Sequence, residues 1–119
     1  MRQAYAHEAV VVLGPGGDPA APGGAVTEEL CGSWDHPPPC PFAPHHVDAV
    51  ADGDAVRVRV LFATDPADEP RARAGIERAL AAGHTTGPDG STFTWTLRSC
   101  APAAVRPDEA DHASRLAAT

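Results

Sequence analysis

Ala55 to Ala63 reads Ala-Val-Arg-Val-Arg-Val-Leu-Phe-Ala, the clearest alternation in the chain. In an extended segment Val56, Val58, Val60 and Phe62 fall on one face, with Arg57 and Arg59 on the other. A strand with one apolar face has to bury it against a second layer, and the rest of the sequence is punctuated to supply one. Upstream, Ala4 to Leu13 ends in the run Val10-Val11-Val12-Leu13 and is stopped by Gly14-Pro15-Gly16-Gly17, which marks a strand and a turn. Asp18-Pro19 is a helix-start signal, but Pro22, Gly23 and Gly24 argue for a short helix from about Ala25 to Cys31, closed by Gly32. His45 to Val50 is a short strand, and Asp52-Gly53-Asp54 a hairpin turn.

After the alternating strand, Asp65-Pro66 opens a helix with Asp68 and Glu69 in its first turn. Ala72, Ile76, Ala79 and Leu80 form its apolar stripe, and Gly83 ends it. Pro88-Asp89-Gly90 is a turn, and Thr92 to Ser99 alternates again through Phe93, Trp95 and Leu97. The order β-α-β-β-α-β predicts an α+β, ferredoxin-like fold. It has a four-stranded antiparallel sheet, two helices on one face, and a long Pro-rich loop between the first helix and the second strand. A chain of 119 residues suits one such domain over 1–101. Residues 102–119 are expected to be a polar, flexible tail, with a weak helix over Asp108–Ala118 as the alternative. Arg57 and Arg59 are expected to face solvent or a partner.

Chemistry concentrates between the two halves. From Cys31 to His46 the spacing is C-x4-H-x3-C-x4-H-H, with five prolines stiffening the backbone. Thiolate and imidazole are the usual zinc ligands and also suit copper. Cys31, His36, Cys40 and one of His45 or His46 make a Cys2His2 set. The adjacent histidines point to opposite faces of an extended strand, so one is the expected ligand and the other a neighbour. His45 is preferred because it repeats the x4 gap. The pattern lacks the C-x2-C of fingers, knuckles and ribbons. Four ligands would make the ion structural; three would leave a position for catalysis. Trp34 and Phe42 are expected to cover the cluster, and Asp35 to orient His36. The fold expectation gathers His7, Cys31, His36, Cys40, His45, His46 and Cys100 at one end, with His84 and His112 outside the group.

Two alternatives stand beside metal binding. One is a small, dimeric metal- or thiol-dependent enzyme or accessory protein of a small-molecule pathway. Its candidate nucleophile is Cys40, flanked by His36 and His45. The other is an interaction domain without metal. The open sheet face is the candidate homodimer surface. Composition removes several classes. There is no lysine, which excludes Schiff-base chemistry. A formal charge of −7 with no arginine run argues against nucleic acid. No apolar stretch is long enough for a membrane span, and no secretory signal is seen, so a cytoplasmic location with reduced thiols is expected.

The segment from Leu30 to His46 resembles motifs of small actinobacterial proteins, a resemblance that carries over no activity and no site residue. The element order is similar to that of metallochaperone domains of the heavy-metal-associated type. Those carry C-x2-C after the first strand, where this chain has Gly14 to Asp18 without cysteine. The similarity is one of topology.

Overall fold

The alternating segment forms β3 (Ala55–Thr64), and it is buried on both faces. The computed structural model describes residues 1–31, the side chain of Cys31 apart, 43–87 and 89–118. The other elements are β1 (Gln3–Leu13), α1 (Ala21–Cys31), β2 (His45–Asp52), α2 (Glu69–Ala82), β4 (His84–Thr86), β5 (Thr92–Ala103) and α3 (Ala110–Ala117), with short 3-10 turns ahead of α2 and α3. The strands form one antiparallel sheet in the order β2-β3-β1-β5-β4, curled into a half-barrel.

This corrects the expected four-stranded ferredoxin-like sheet with two helices. Among the described residues there are five strands and three helices. The extra strand, β4, is only three residues of His and Thr, too short to show an alternation. The extra helix, α3, buries little beyond Ala113, with Leu116 half-buried beside it, so its apolar signal is small. The segment after Ala101 extends β5 to Ala103 and then forms α3 on the sheet. Pro102 is accepted there because β4 pairs only with Thr92–Thr94 of β5, leaving the last residues of that strand at an edge.

The sheet separates two cores. On one face, Ala9 and Val11 of β1, with Val56, Val58, Val60 and Phe62 of β3, pack against α1 and α2. The contributors from the helices are Ala25, Val26 and Leu30 of α1, and Ala72, Ile76 and Leu80 of α2. On the other face Ala6 and Leu61 pack under Ala113 of α3. Local signals set the ends of α2. Asp65 Oδ1 accepts from the Ala67 amide at 3.0 Å. Gly83 closes the helix in the left-handed region (φ 74°), where a side chain would also meet the Trp95 carbonyl oxygen at 2.9 Å. Helix α1 begins at Ala21, earlier than expected, because Pro22 lies in the first turn, where a missing N–H costs nothing.

Arg59 is not a solvent-facing residue. Only 7% exposed, it lies under the turn that precedes α3. Its guanidinium donates to both carboxylate oxygens of Glu109 (2.8 and 2.7 Å), to Glu8 (2.7 Å) and to the Ala104 carbonyl (2.6 Å). Helix α3 thus occupies part of the face that the sequence left open for a homodimer. The Arg59 hydrogen bonds hold the Glu109 carboxyl well below its ordinary 4.5, at about 2. A carboxyl depressed on folding stabilises the protein fully above its unfolded value, and that contribution disappears as pH falls through the folded one. Glu109→Ala is expected to cost about 3 kcal/mol at neutral pH. Its effect should fade in urea titrations as the pH is lowered from about 4.5 toward 2. An undiminished difference at pH 2 would contradict the assignment.

Candidate functional site

Which face a β5 side chain occupies is decided by a bulge. β1 and β5 pair Val11 with Leu97 and Val10 with Ser99, so one extra residue, Arg98, is accommodated between them. Before the bulge the odd residues Trp95 and Leu97 face α1 and α2. After it the even residue Cys100, paired with Ala9, takes that face. His7 lies on the same face of β1, opposite Pro102 and Val60. From α2, Glu77 reaches toward both. The His7, Glu77 and Cys100 donor atoms lie within 4.8 Å of one another, and no other such group occurs among the described residues.

His7 is fully buried. Arg73 Nη1 donates to His7 Nδ1 (3.0 Å) and to the Ala6 carbonyl (2.7 Å), while its Nε is held by Glu69 (2.8 Å). The guanidinium also lies over the Tyr5 and Phe62 rings, 5.6 and 5.3 Å from their centroids. Because an arginine N–H can only donate, Nδ1 is the bare nitrogen and the ring proton sits on Nε2. Burial, then the Arg73 charge, pushes the imidazole below its ordinary value, with Glu77 opposing. Nε2 makes no hydrogen bond, with Glu77 Oε1 at 3.4 Å outside bonding geometry. Burial, with the Glu77 charge adding, pushes the Cys100 thiol up from 9.0 to about 11. The thiol is therefore protonated at neutral pH and is a poor nucleophile.

Of the expected donors, His36 and Cys40 lie outside the described residues, as do Trp34, Asp35, Phe42 and the side chain of Cys31. His45 and His46 do take opposite faces of β2. His45 turns toward α1, where its Nε2 meets Thr27 Oγ1 at 2.9 Å and its Nδ1 the Ala43 carbonyl at 3.0 Å. His46 turns toward α3, 3.1 Å from Asp48 and with its ring centroid 4.8 Å from that of His112. The seven residues expected at one end are thus not one group. His7 and Cys100 meet. His45 shares their face but is two strands and two residues away, roughly 12 Å. His46 is on the far face and meets His112, which was expected to stand apart; His84 is exposed on β4. Glu77 was missed. It sits on the helix beside buried Ile76, and a half-exposed helical glutamate gives no sequence signal.

A second feature of the helix face is a trough of about 590 Å³ between the start of α1 and β2, lined by Asp18, Ala20, Gly23, Thr27, His45 and Val47 among others. Gly23 allows the close approach, since a side chain there would stand 3.0 Å from Val47 Cγ1. No helix among the described residues is long and apolar enough to cross a membrane. No protein-family model matches the chain, and no curated protein or solved structure matches it.

The thiol assignment is open to direct measurement. In a metal-free Cys31→Ser, Cys40→Ser background, Cys100 should react with a thiol reagent at pH 8 about 100-fold more slowly than the unfolded chain. Adding Glu77→Gln should accelerate it. A rate equal to that of the unfolded chain would refute the raised thiol.

Proposed function

We propose that this protein binds one transition-metal ion, zinc first and copper as the alternative, through His7, Glu77 and Cys100. The observation that carries the reading is the His7 Nε2 atom, buried, without a hydrogen bond, and directed at a carboxylate and a thiol. Buried polar atoms are ordinarily satisfied, and one left open beside two further ligand types has a simple use. Nitrogen, oxygen and sulfur donors suit zinc, with bonds of roughly 2.0–2.3 Å that place tetrahedral ligands roughly 3.3–3.8 Å apart. The His7–Glu77 separation is already 3.4 Å. The remaining donor atoms lie within 4.8 Å of one another, so binding needs about an ångström of side-chain closure.

Binding has a defined cost. The ion replaces the proton on Nε2 and the proton on Sγ. The neutral ring then carries its hydrogen on Nδ1, so Arg73 Nη1 must turn from it while keeping the Ala6 carbonyl. One carboxylate and one thiolate balance the charge of a divalent ion, and three protein donors leave a fourth position. Catalysis by this ion is a further step that the donor set permits but does not supply.

The experiment is a zinc titration of the reduced, untagged protein with calorimetry and metal analysis. About one zinc per chain is expected, with affinity falling at least tenfold in both Cys100→Ser and Glu77→Gln. Zinc that survives these changes and is lost in Cys40→Ser and His36→Ala would move the ion to the Cys31–His46 segment. Absence of stoichiometric metal would end the reading.

A further inference from the structure

The two ends of the sheet are built differently. Past its pairing with β4, the last part of β5 carries the one-residue bulge at Arg98 and then Pro102, and both devices keep another strand from adding there. β2, at the opposite edge, has neither. It runs eight residues without proline or bulge, and among the described residues it pairs only with β3. Its outward groups belong to alternate residues. The Ala63 amide donates to the Pro44 carbonyl at 2.9 Å, which makes Pro44 and Ala63 a hydrogen-bonded pair. Two residues at a time, His46, Asp48, Val50 and Asp52 then turn their N–H and C=O groups to β3. The two-residue turn at Gly53-Asp54, closing on Asp52 and Ala55, fits the same pattern. Val47, Ala49 and Ala51 therefore direct theirs away from the sheet, with no other partner among the described residues.

Neither side of this edge is covered over its second half. Every side chain from Asp48 to Asp52 is exposed. Val50, at 60%, is the one large apolar side chain left exposed within a strand or helix among the described residues. On the α1 side the outward residues after Val47 are only alanines, so a neighbouring strand meets no bulk there. The trough also opens onto the edge, since His45, His46 and Val47, which alternate in face, line it in succession. We propose that β2 pairs antiparallel with β2 of a second copy of this chain, across a two-fold axis at Ala49. One sheet then runs through both copies, with five strands from each.

Charge selects the second copy as occupant and fixes the register. With the axis at Ala49, Ala49 faces its own counterpart and Val47 faces the partner's Ala51, and these pairs exchange the outward hydrogen bonds. On the α3 side, His46 lies opposite the partner's Asp52 at both ends of the interface, an imidazole against a carboxylate. Val50 lies opposite the partner's Asp48 and diagonal to the partner's Val50, so the exposed valines shield each other. The neighbouring registers fail. An axis at Asp48 sets that carboxylate against itself, and one at Val50 sets Asp48 against the partner's Asp52. An axis at Val47 leaves Val50 to Asp52 beyond the end of the partner's strand.

The test is sedimentation equilibrium of the full reduced chain with EDTA present, which removes any metal bridge between copies. A mass of twice 12.3 kDa is expected. Ala49→Pro deletes an N–H that a single copy does not use, so circular dichroism should be unchanged while the mass falls to that of one chain. The axis is read by oxidation in a Cys31→Ser, Cys40→Ser background. Ala49→Cys chains should join to each other, because residues facing across a hydrogen-bonded pair stand about 5.5 Å apart, within disulfide reach. Ala51→Cys chains should not, since their thiols are separated by four residues of strand, roughly 14 Å. A monomer at submillimolar concentration, a dimer unchanged by Ala49→Pro, or Ala49→Cys chains that fail to join would overturn the proposal. The oxidation result decides the matter even if the proline variant does not fold.

Discussion

A guanidinium taken out of water has to be neutralised where it sits, and Arg59 meets that requirement with groups from three parts of the chain. Glu8 comes from the central strand, Glu109 from the turn before α3, and the Ala104 carbonyl from the segment between β5 and that turn. The last third of the chain is thereby drawn across the sheet. Without this network α3 would rest on little more than Ala113 and Leu116 over Ala6 and Leu61. Buried ion pairs add little net stability against an apolar replacement, because both partners lose their water. What this one supplies is position. It sets which face of the sheet is closed and brings His112 over His46.

How much of this was legible depended on whether a signal was local. The strand at Ala55–Thr64 followed from alternation, and the ends of α2 from Asp65, Pro66 and Gly83, because each of those residues acts on its own backbone. The start of α1 was misplaced since Gly23 and Gly24 look like breakers. Here Gly23 is a spacer that lets the helix lie against Val47. Arg59 looked solvent-facing because alternation gives a side chain its face but not what covers that face. β4 was missed, and α3 was anticipated only as a weak alternative over Asp108–Ala118, because their burial comes from distant segments.

The site shows the same limit more sharply. Alternation through Phe93, Trp95 and Leu97 would continue to Ser99 and Ala101, placing Cys100 on the face away from His7. The one-residue bulge reverses that, and nothing in the local sequence announces it. Glu77 comes from a helix seventy residues downstream of His7, a relation that spacing along the chain cannot express. The dense Cys and His run drew the reading toward Cys31–His46. Most of that run lies outside the described residues, and its two adjacent histidines are divided between the two faces of β2, as alternation requires.

One strand carries the consequences of both faces. Phe62 belongs to the core under α1 and α2, and Leu61, its immediate neighbour, to the core under α3. The two cores are consecutive residues of a single backbone rather than separate compartments. Loss of either would withdraw the packing that holds β3 extended for the other. The protein should therefore lack a stable half-folded form, and its two faces should melt as one cooperative unit.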